Sequence, residues 1–249
     1  MQSQIIENNR LTADLWEMLI YLPEFANKVK SGQFVMVIKQ GGKAYLRRPL
    51  AIAGVENNCV RIFYRVLGLG TAEFSELMPG DAIDVDGPLG KGFTINEKKT
   101  LLVGGGVGIA PLIQAADELA ALGNPPIVLL GLPSQAEAFW AGYFQKAKRT
   151  YLTSDDGSIG IKGYPTTILE EVLKSYQIER VLTCGPDIMM KNVATVAAAL
   201  GIECQVSLEK RMACGIGVCL ACTFAGTSGE RHRICADGPV FDGKEVYHA

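Results

Sequence analysis

The hydrophobic pattern changes character about two-fifths of the way along the chain. Up to residue 97 the apolar residues fall in short β-branched or aromatic runs: Phe34-Val35-Met36-Val37-Ile38, Val60-Arg61-Ile62-Phe63-Tyr64-Arg65-Val66 and Ala82-Ile83-Asp84-Val85. Turn-forming pairs separate them, at Ser31-Gly32, Gly41-Gly42, Pro79-Gly80-Asp81 and Gly87-Pro88. Short strands at such intervals predict an antiparallel β-barrel or sandwich. After Lys99 the runs become continuous and alternate with helical stretches. Thr100–Val103 reads as a buried strand, Pro111 opens a helix through Ala121, and Ile127–Gly131 and Arg180–Gly185 read as later strands. That alternation predicts a parallel α/β sheet. From Cys204 onward the chain is loop-rich, and a segment this short would depend on a bound metal to fold. The expected division is therefore 1–97, 98–203 and 204–249.

Composition narrows the class. The 249 residues are 48% hydrophobic, enough for packed cores, and the net charge of −2 comes with no basic run. Nucleic-acid binding is not expected. Met1–Glu7 holds no apolar stretch, so no secretory signal is expected. The longest uncharged stretch, Thr100 to Ala116, is interrupted by four glycines and a proline and should not span a membrane.

Four of the seven cysteines carry the clearest chemistry. Cys214, Cys219 and Cys222 have C-x4-C-x2-C spacing, and Cys235 follows after 12 residues. Four thiolates in this order suit a 2Fe–2S cluster, the first three having plant-ferredoxin spacing. A structural zinc site and disulfides are the alternatives, and spacing alone does not separate them. The remaining Cys59, Cys184 and Cys204 are an odd set that fits a reducing cytoplasm.

Two glycine-bearing segments suit phosphates. In Leu101-Leu102-Val103-Gly104-Gly105-Gly106-Val107-Gly108-Ile109-Ala110-Pro111-Leu112, a strand runs through glycines into a helix N-terminus. Backbone can approach a pyrophosphate closely there, although the run is not G-x-G-x-x-G and could be a tight turn that binds nothing. Cys184-Gly185-Pro186-Asp187 ends another strand similarly, and the two loops can meet at one crevice beyond the strand ends. Arg47-Arg48-Pro49 sets cations beside a rigid proline, either a phosphate fork or an exposed strand-edge pair. His232 and His248, in polar context, read as surface residues without a catalytic role.

Taken together, Arg48-Pro49-Leu50, the loop ending Ala110-Pro111-Leu112 and the Cys184-Gly185-Pro186 turn resemble the ferredoxin–NADP reductase superfamily. Glu209-Lys210-Arg211-Met212-Ala213-Cys214-Gly215-Ile216-Gly217-Val218-Cys219, Cys235 with Asp237-Gly238-Pro239-Val240-Phe241, and Asp155-Asp156-Gly157-Ser158 before Gly160-Ile161-Lys162-Gly163 narrow the likeness. The combination resembles the electron-transfer subunits of class 1B dihydroorotate dehydrogenase, over almost the whole chain.

The resemblance implies a role for each matching position. Arg48, Pro49, Leu50 and Ala51 would hold FAD, with Arg48 near the pyrophosphate. Phe63, Tyr64 and Arg65 would line the flavin, and Gly70 and Thr71 would contact its diphosphate–adenosine part. Gly104, Gly105, Gly106 and Gly108, with Cys184, Gly185, Pro186 and Asp187, would bind NAD. Cys214, Cys219, Cys222 and Cys235 would ligate the 2Fe–2S cluster, and no side chain is assigned an acid–base role. The implied partner is an FMN-containing catalytic subunit, two of each chain, acting in cytoplasmic pyrimidine synthesis. A related FAD and 2Fe–2S reductase subunit of another complex, such as a ferredoxin:NADP transhydrogenase or a hydrogenase, is the second expectation. Three departures stand out: Ala51 where relatives commonly have serine, Ser31 where proline is usual, and no arginine in Gly131–Ala136. The last predicts NADH over NADPH, because a 2′-phosphate needs a cation.

Overall fold

The computed structural model describes residues 2–24 and 26–247. Six strands, β1 (Gln2–Arg10), β2 (Leu15–Tyr21), β3 (Phe34–Lys39), β4 (Arg48–Glu56), β5 (Cys59–Arg65) and β6 (Ala82–Leu89), form a closed antiparallel barrel. Its order is β1-β2-β5-β4-β3-β6, and β6 pairs back onto β1. Alternate residues turn inward, so Met18, Ile20, Val35, Val37, Ile52, Val60 and Ile62 fill the interior. Helix α1 (Leu69–Ser75) packs Phe74 into the same core, joined by Leu77. Gly87-Pro88 is not a turn between strands. It lies inside β6, as a bulge where β6 advances one extra residue against Phe34–Met36 of β3.

The second lobe is the expected parallel sheet, with one strand added from the C-terminus. Its strands are β7 (Thr100–Gly105), β8 (Ile127–Leu132), β9 (Arg149–Ser154), β10 (Ile161–Lys162), β11 (Arg180–Cys184) and β12 (Glu203–Ser207). Two short strands, β13 (Thr223–Ala225) and β14 (Arg231–Arg233), form a separate hairpin, and β15 (Val240–Asp242) runs antiparallel beside β12. The sheet order is β10-β9-β8-β7-β11-β12-β15. The expected boundary after residue 203 therefore falls inside β12, and the C-terminal segment returns to complete the sheet.

Period-two alternation assigns the two faces of the sheet. Leu101, Val103 and Val181 face α3 (Leu169–Ser175) and α4 (Asp187–Ala199). Leu102, Val128, Leu130 and Leu182 face α2 (Ala110–Ala121) and the barrel residues Leu15, Ala53 and Phe63. Two C-terminal turns, α5 (Ile234–Asp237) and α6 (Gly243–Val246), flank β15.

Polar groups pin the lobes together. Arg180 is fully buried, donating from Nη1 to the Thr94 carbonyl and from Nη2 to Asn96 Oδ1, each at 2.6 Å. It thereby fixes the segment that leaves the barrel. Ser31 donates from Oγ to Glu118 Oε2 at 2.7 Å and from its backbone N–H to Glu118 Oε1 at 3.0 Å. A proline at position 31 would lack both donors, so the serine trades turn rigidity for a bond between lobes.

Candidate functional site

The two glycine loops meet. β7 lies between β8 and β11, so the connections leave its two sides in opposite directions and open a crevice beyond the strand ends. A Cβ on Gly108 would lie 2.6 Å from Gly185 Cα, and one on Gly185 would lie 2.9 Å from the Gly105 carbonyl oxygen. Gly106, at φ +56°, takes the left-handed turn that ends β7. Gly104 serves packing, since its missing Cβ leaves room for Ile109 and Leu112. The crevice floor is thus bare backbone at the start of α2, where N–H groups and the helix dipole favour an anion. Cys184 is buried on the barrel-facing side, and that burial pushes its thiol well above the ordinary range. Asp187 opens α4, and its carboxylate accepts the Tyr247 hydroxyl at 2.6 Å.

On the barrel, the arginine pair divides its labour. Arg47 is tied to Asp84 at 2.8 Å and Asp86 at 3.0 Å. Arg48 instead lays its guanidinium across Gly70, where a Cβ would come within 2.7 Å of Cζ. Its Nη1 donates to the Leu46 carbonyl. The Thr71 hydroxyl is spent on its own turn, accepting from Leu67 N–H at 3.0 Å and donating to the Gly68 carbonyl at 3.1 Å. Pro49, Leu50 and Ala51 remain half-exposed along β4. Guanidinium, bare glycine and the half-exposed strand form a cradle whose chemistry suits a dinucleotide pyrophosphate.

On the neighbouring β5 the aromatic side chains belong to the core. Phe63 and Tyr64 are 2% and 1% exposed and present no open ring face to a flavin. Phe63 packs under the nucleotide lobe against Trp140 and Tyr143, at centroid distances of 4.7 and 5.3 Å. Tyr64 points into the barrel, its hydroxyl donating to Asn8 Oδ1 at 2.9 Å. β5 is central in the barrel and covered by the second lobe, so both of its faces are buried. Arg65 keeps some exposure but is paired with Asp14 at 2.8 Å and with Glu137 across the lobe junction.

The four cysteines converge as two pairs. Cys219 N–H donates to Cys214 Sγ at 3.5 Å, and Cys235 N–H donates to Cys222 Sγ at 3.4 Å. Gly217 N–H reaches Cys235 Sγ at 3.1 Å, linking the first loop to the last ligand. Among the described residues, no three His, Cys, Asp or Glu side chains gather as the shell of a single metal ion. Two separate thiol pairs match a two-iron centre, in which each iron takes two thiolates, better than one tetrahedral zinc. Backbone N–H groups of Cys219, Ile216 and Val218 lower the Cys214 thiol to about 6, so a thiolate is favoured there before any metal binds. Cys235 is pushed up to about 12 by burial and by its neighbour Cys222.

The surrounding loop is held from both sides. Gly215 rests on Met36 and Leu89 of the barrel, and Lys91 N–H donates to the Gly238 carbonyl. Arg233 clamps Asp237 through Nε at 3.0 Å and Nη2 at 2.9 Å, which holds that carboxyl at about 2. Ile216 and Val218, 63% and 74% exposed, face outward beside the cysteines. His232 is half-buried, its ring 5.4 Å from Phe224 and 5.6 Å from Phe241, so it packs the hairpin instead of lying free on the surface. His248 lies outside the described residues.

With this geometry in place, comparison with known proteins is specific. Residues 209–247 match the model of the iron–sulfur cluster binding domain of dihydroorotate dehydrogenase B. The dihydroorotate dehydrogenase B (NAD(+)) electron transfer subunit of Caldanaerobacter subterraneus subsp. tengcongensis is 36% identical, across 99% of this chain and 98% of that one. The corresponding subunit of Fusobacterium nucleatum subsp. nucleatum is also 36% identical, across 96% and 95%. The chain belongs to this family. Among solved structures, that of an NADH-dependent reduced ferredoxin-NADP oxidoreductase superposes with a TM-score of 0.89 at 32% identity, covering 98% of this chain and 89% of that one. A ferredoxin NADP+ reductase from Neisseria gonorrhoeae, at 18% identity and a TM-score of 0.66 over 81% of this chain and 91% of that one, shares the fold.

Within the family frame, the fold brings together most of the expected positions. Arg48 and Gly70 meet on the barrel, the two glycine loops meet at the sheet, and the cysteines meet in the C-terminal segment. Sequence reasoning missed the residues that act on these from a distance. Glu137, Trp140 and Tyr143 lie on a 3-10 helix over Gln135–Phe144, which had no apolar period to betray it. Tyr247 lay unremarked at the end of the chain. Its only signal was an aromatic residue at the close of a charged stretch.

Proposed function

We propose that this chain passes electrons between a partner subunit that oxidises dihydroorotate on FMN and NAD+. The reading rests above all on the two thiol pairs lying in one rigid fold with a bare-backbone nucleotide crevice. When bound, the 2Fe–2S cluster supplies one-electron transfer and FAD supplies the step between one-electron and two-electron chemistry, ending in hydride exchange with nicotinamide.

The chain's own residues bind, orient and exclude water. Cys214 with Cys219, and Cys222 with Cys235, would hold the two irons, and the N–H groups of Gly217, Cys219 and Cys235 would stabilise the sulfurs they already contact. Arg48, Gly70 and the half-exposed stretch of β4 would take the flavin dinucleotide. Gly105, Gly106, Gly108, Gly185 and Pro186 would take the pyridine nucleotide, with the buried Cys184 beneath it. Phe63 and Tyr64 support that arrangement from within the core. Ile216 and Val218 form an apolar rim around the cysteines that suits docking of a protein partner. The assembly in this reading is cytoplasmic and holds two copies of each chain; separately, no helix among the described residues is long and apolar enough to cross a membrane.

Co-expression with a dihydroorotate-oxidising FMN subunit tests the reading. The expected result is a stable complex that reduces NAD+ with dihydroorotate, and a mass in solution equal to two of each chain. Absence of a complex, together with NADH-linked turnover of reduced ferredoxin, would transfer the assignment to the second reading.

A further inference from the structure

We infer that Tyr247 is a positioning residue for the pyridine-nucleotide loop, and that through it the affinity of the crevice depends on the hairpin that carries Cys222 and Cys235. The inference rests on the nucleotide reading given above.

The contact itself is specific. The Tyr247 hydroxyl donates to Asp187 Oδ1 at 2.6 Å and lies 3.5 Å from the Asp187 carbonyl oxygen. Its ring is buried, 9% exposed, although it stands near the end of the chain. Burial and the Asp187 carboxylate push the phenol well above its ordinary range, so it remains a donor across the working pH. Asp187 is the first residue of α4 and directly follows Cys184-Gly185-Pro186. Gly185 is in turn interlocked with Gly105 and Gly108, so a shift of Asp187 is passed to both sides of the crevice. An acid at a helix N-terminus is favourable without help. The phenol therefore adds direction: it fixes where the first turn of α4 sits.

The other end of the connection leads to the cysteines. Tyr247 N–H closes α6 by donating to the Gly243 carbonyl at 2.9 Å. Gly243 packs against Ala194 of α4 and Cys204 of β12, where a Cβ would come within 3.1 Å of Ala194 Cβ. Thr227, in the turn between β13 and β14, donates from its N–H to the Glu245 carbonyl at 2.8 Å and from Oγ1 to the Lys244 carbonyl at 2.7 Å. Cys222 immediately precedes β13, and Cys235 follows β14 by two positions. The hairpin, α6, Tyr247 and Asp187 thus form one hydrogen-bonded series from two cluster ligands to the nucleotide loop. Every link but the last ends on a backbone carbonyl, and the last joins the buried Tyr247 to the carboxylate of Asp187.

The test uses FAD- and cluster-loaded protein mixed rapidly with NADH, following flavin bleaching. Tyr247→Phe, which removes only the hydroxyl, should raise the NADH Kd about 3- to 10-fold, the range expected for one lost hydrogen bond, and leave the limiting rate within about two-fold. Visible cluster absorbance and FAD content should not change. Hydrogen exchange at the Ile188–Met190 amides should quicken in the variant. A Cys222→Ser exchange should weaken NADH in the native background and add no further weakening to Tyr247→Phe. An unchanged Kd, unchanged exchange, or fully additive effects would each overturn the inference. If native protein shows no NADH-dependent bleaching, the nucleotide reading itself fails, and the exchange measurement still decides whether Tyr247 orders α4.

Discussion

The nucleotide crevice and the cysteine segment are built on opposite terms. The crevice is formed by packing: buried β7 and β11 run side by side, and glycines let their loops touch without any ligand. The cysteine segment has three-residue strands and single-turn helices, and its internal bonds include three N–H-to-sulfur contacts. One site is a rigid mould cast by the core. The other is a frame that its metal completes, as expected where apolar burial is too small to order a segment alone. Pairing of β15 with β12 lets the frame borrow rigidity from the sheet that carries the mould, and Gly215 on Met36 adds support from the barrel.

The largest effect should come from breaking the frame. Cys219→Ser removes one ligand at an exposed position, where serine costs little packing. We expect loss of the iron–sulfur absorbance and of electron exchange with the partner, while NADH still bleaches the flavin. A variant that keeps full-rate transfer to the partner would refute the route through the cysteines. If NADH chemistry vanished as well, the crevice would not be preformed as the geometry argues.

Breaking the mould comes next. Gly108→Val places a branched side chain where a Cβ already lies 2.6 Å from Gly185 Cα and N, a clash with backbone that no rotamer relieves. The expected cost is about 1–3 kcal/mol of stability, read from thermal unfolding, with NADH binding lost and cluster absorbance retained. Retention of native NADH affinity would show that the nucleotide sits elsewhere. A finer probe of the same crevice is the choice of nucleotide. The stretch Gly131–Ala136 carries no cation for a 2′-phosphate, so kcat/KM for NADH should exceed that for NADPH by about 10-fold or more, the scale of one missing charged hydrogen bond. Equal values would show that another cation serves the phosphate.

Legibility in the sequence followed the same division. The mould could be read because local chemistry favours it: Thr100–Val103 is a short apolar run followed by glycines, and Pro111 suits the first turn of a helix. The cysteine spacing was equally local. What escaped were features that exist only through distant partners. β15 is a strand because β12, far back in the chain, offers an edge on which Ser207 pairs with Val240, Val206 with Phe241 and Gln205 with Asp242. The resemblance implies that Phe63 and Tyr64 line the flavin; the lobe packed over β5 adds that one ring supports the junction and the other the barrel. Residue type alone does not separate Arg47 from Arg48; the resemblance points to Arg48, and the pairing of Arg47 with Asp84 and Asp86 exists only in the fold.

The smallest effect tests the ground between the two regions. Ala51 lies half-exposed on β4, paired with Phe34 and three residues beyond the guanidinium that crosses Gly70. A serine there would add a hydroxyl to the flavin cradle without filling new core, because the neighbouring Ile52 and Ala53 take the buried positions. One additional hydrogen bond is worth about 0.5–1.5 kcal/mol, which for a two-electron couple is about 10–30 mV. Ala51→Ser should therefore shift the flavin midpoint by that amount, measured by dye-equilibrated reductive titration, with FAD content and cluster absorbance unchanged. A shift in the cluster signal would mean that β4 communicates with the cysteine frame. No shift at either centre would place the flavin beyond reach of β4, and the cradle drawn around Arg48 and Gly70 would have to be moved.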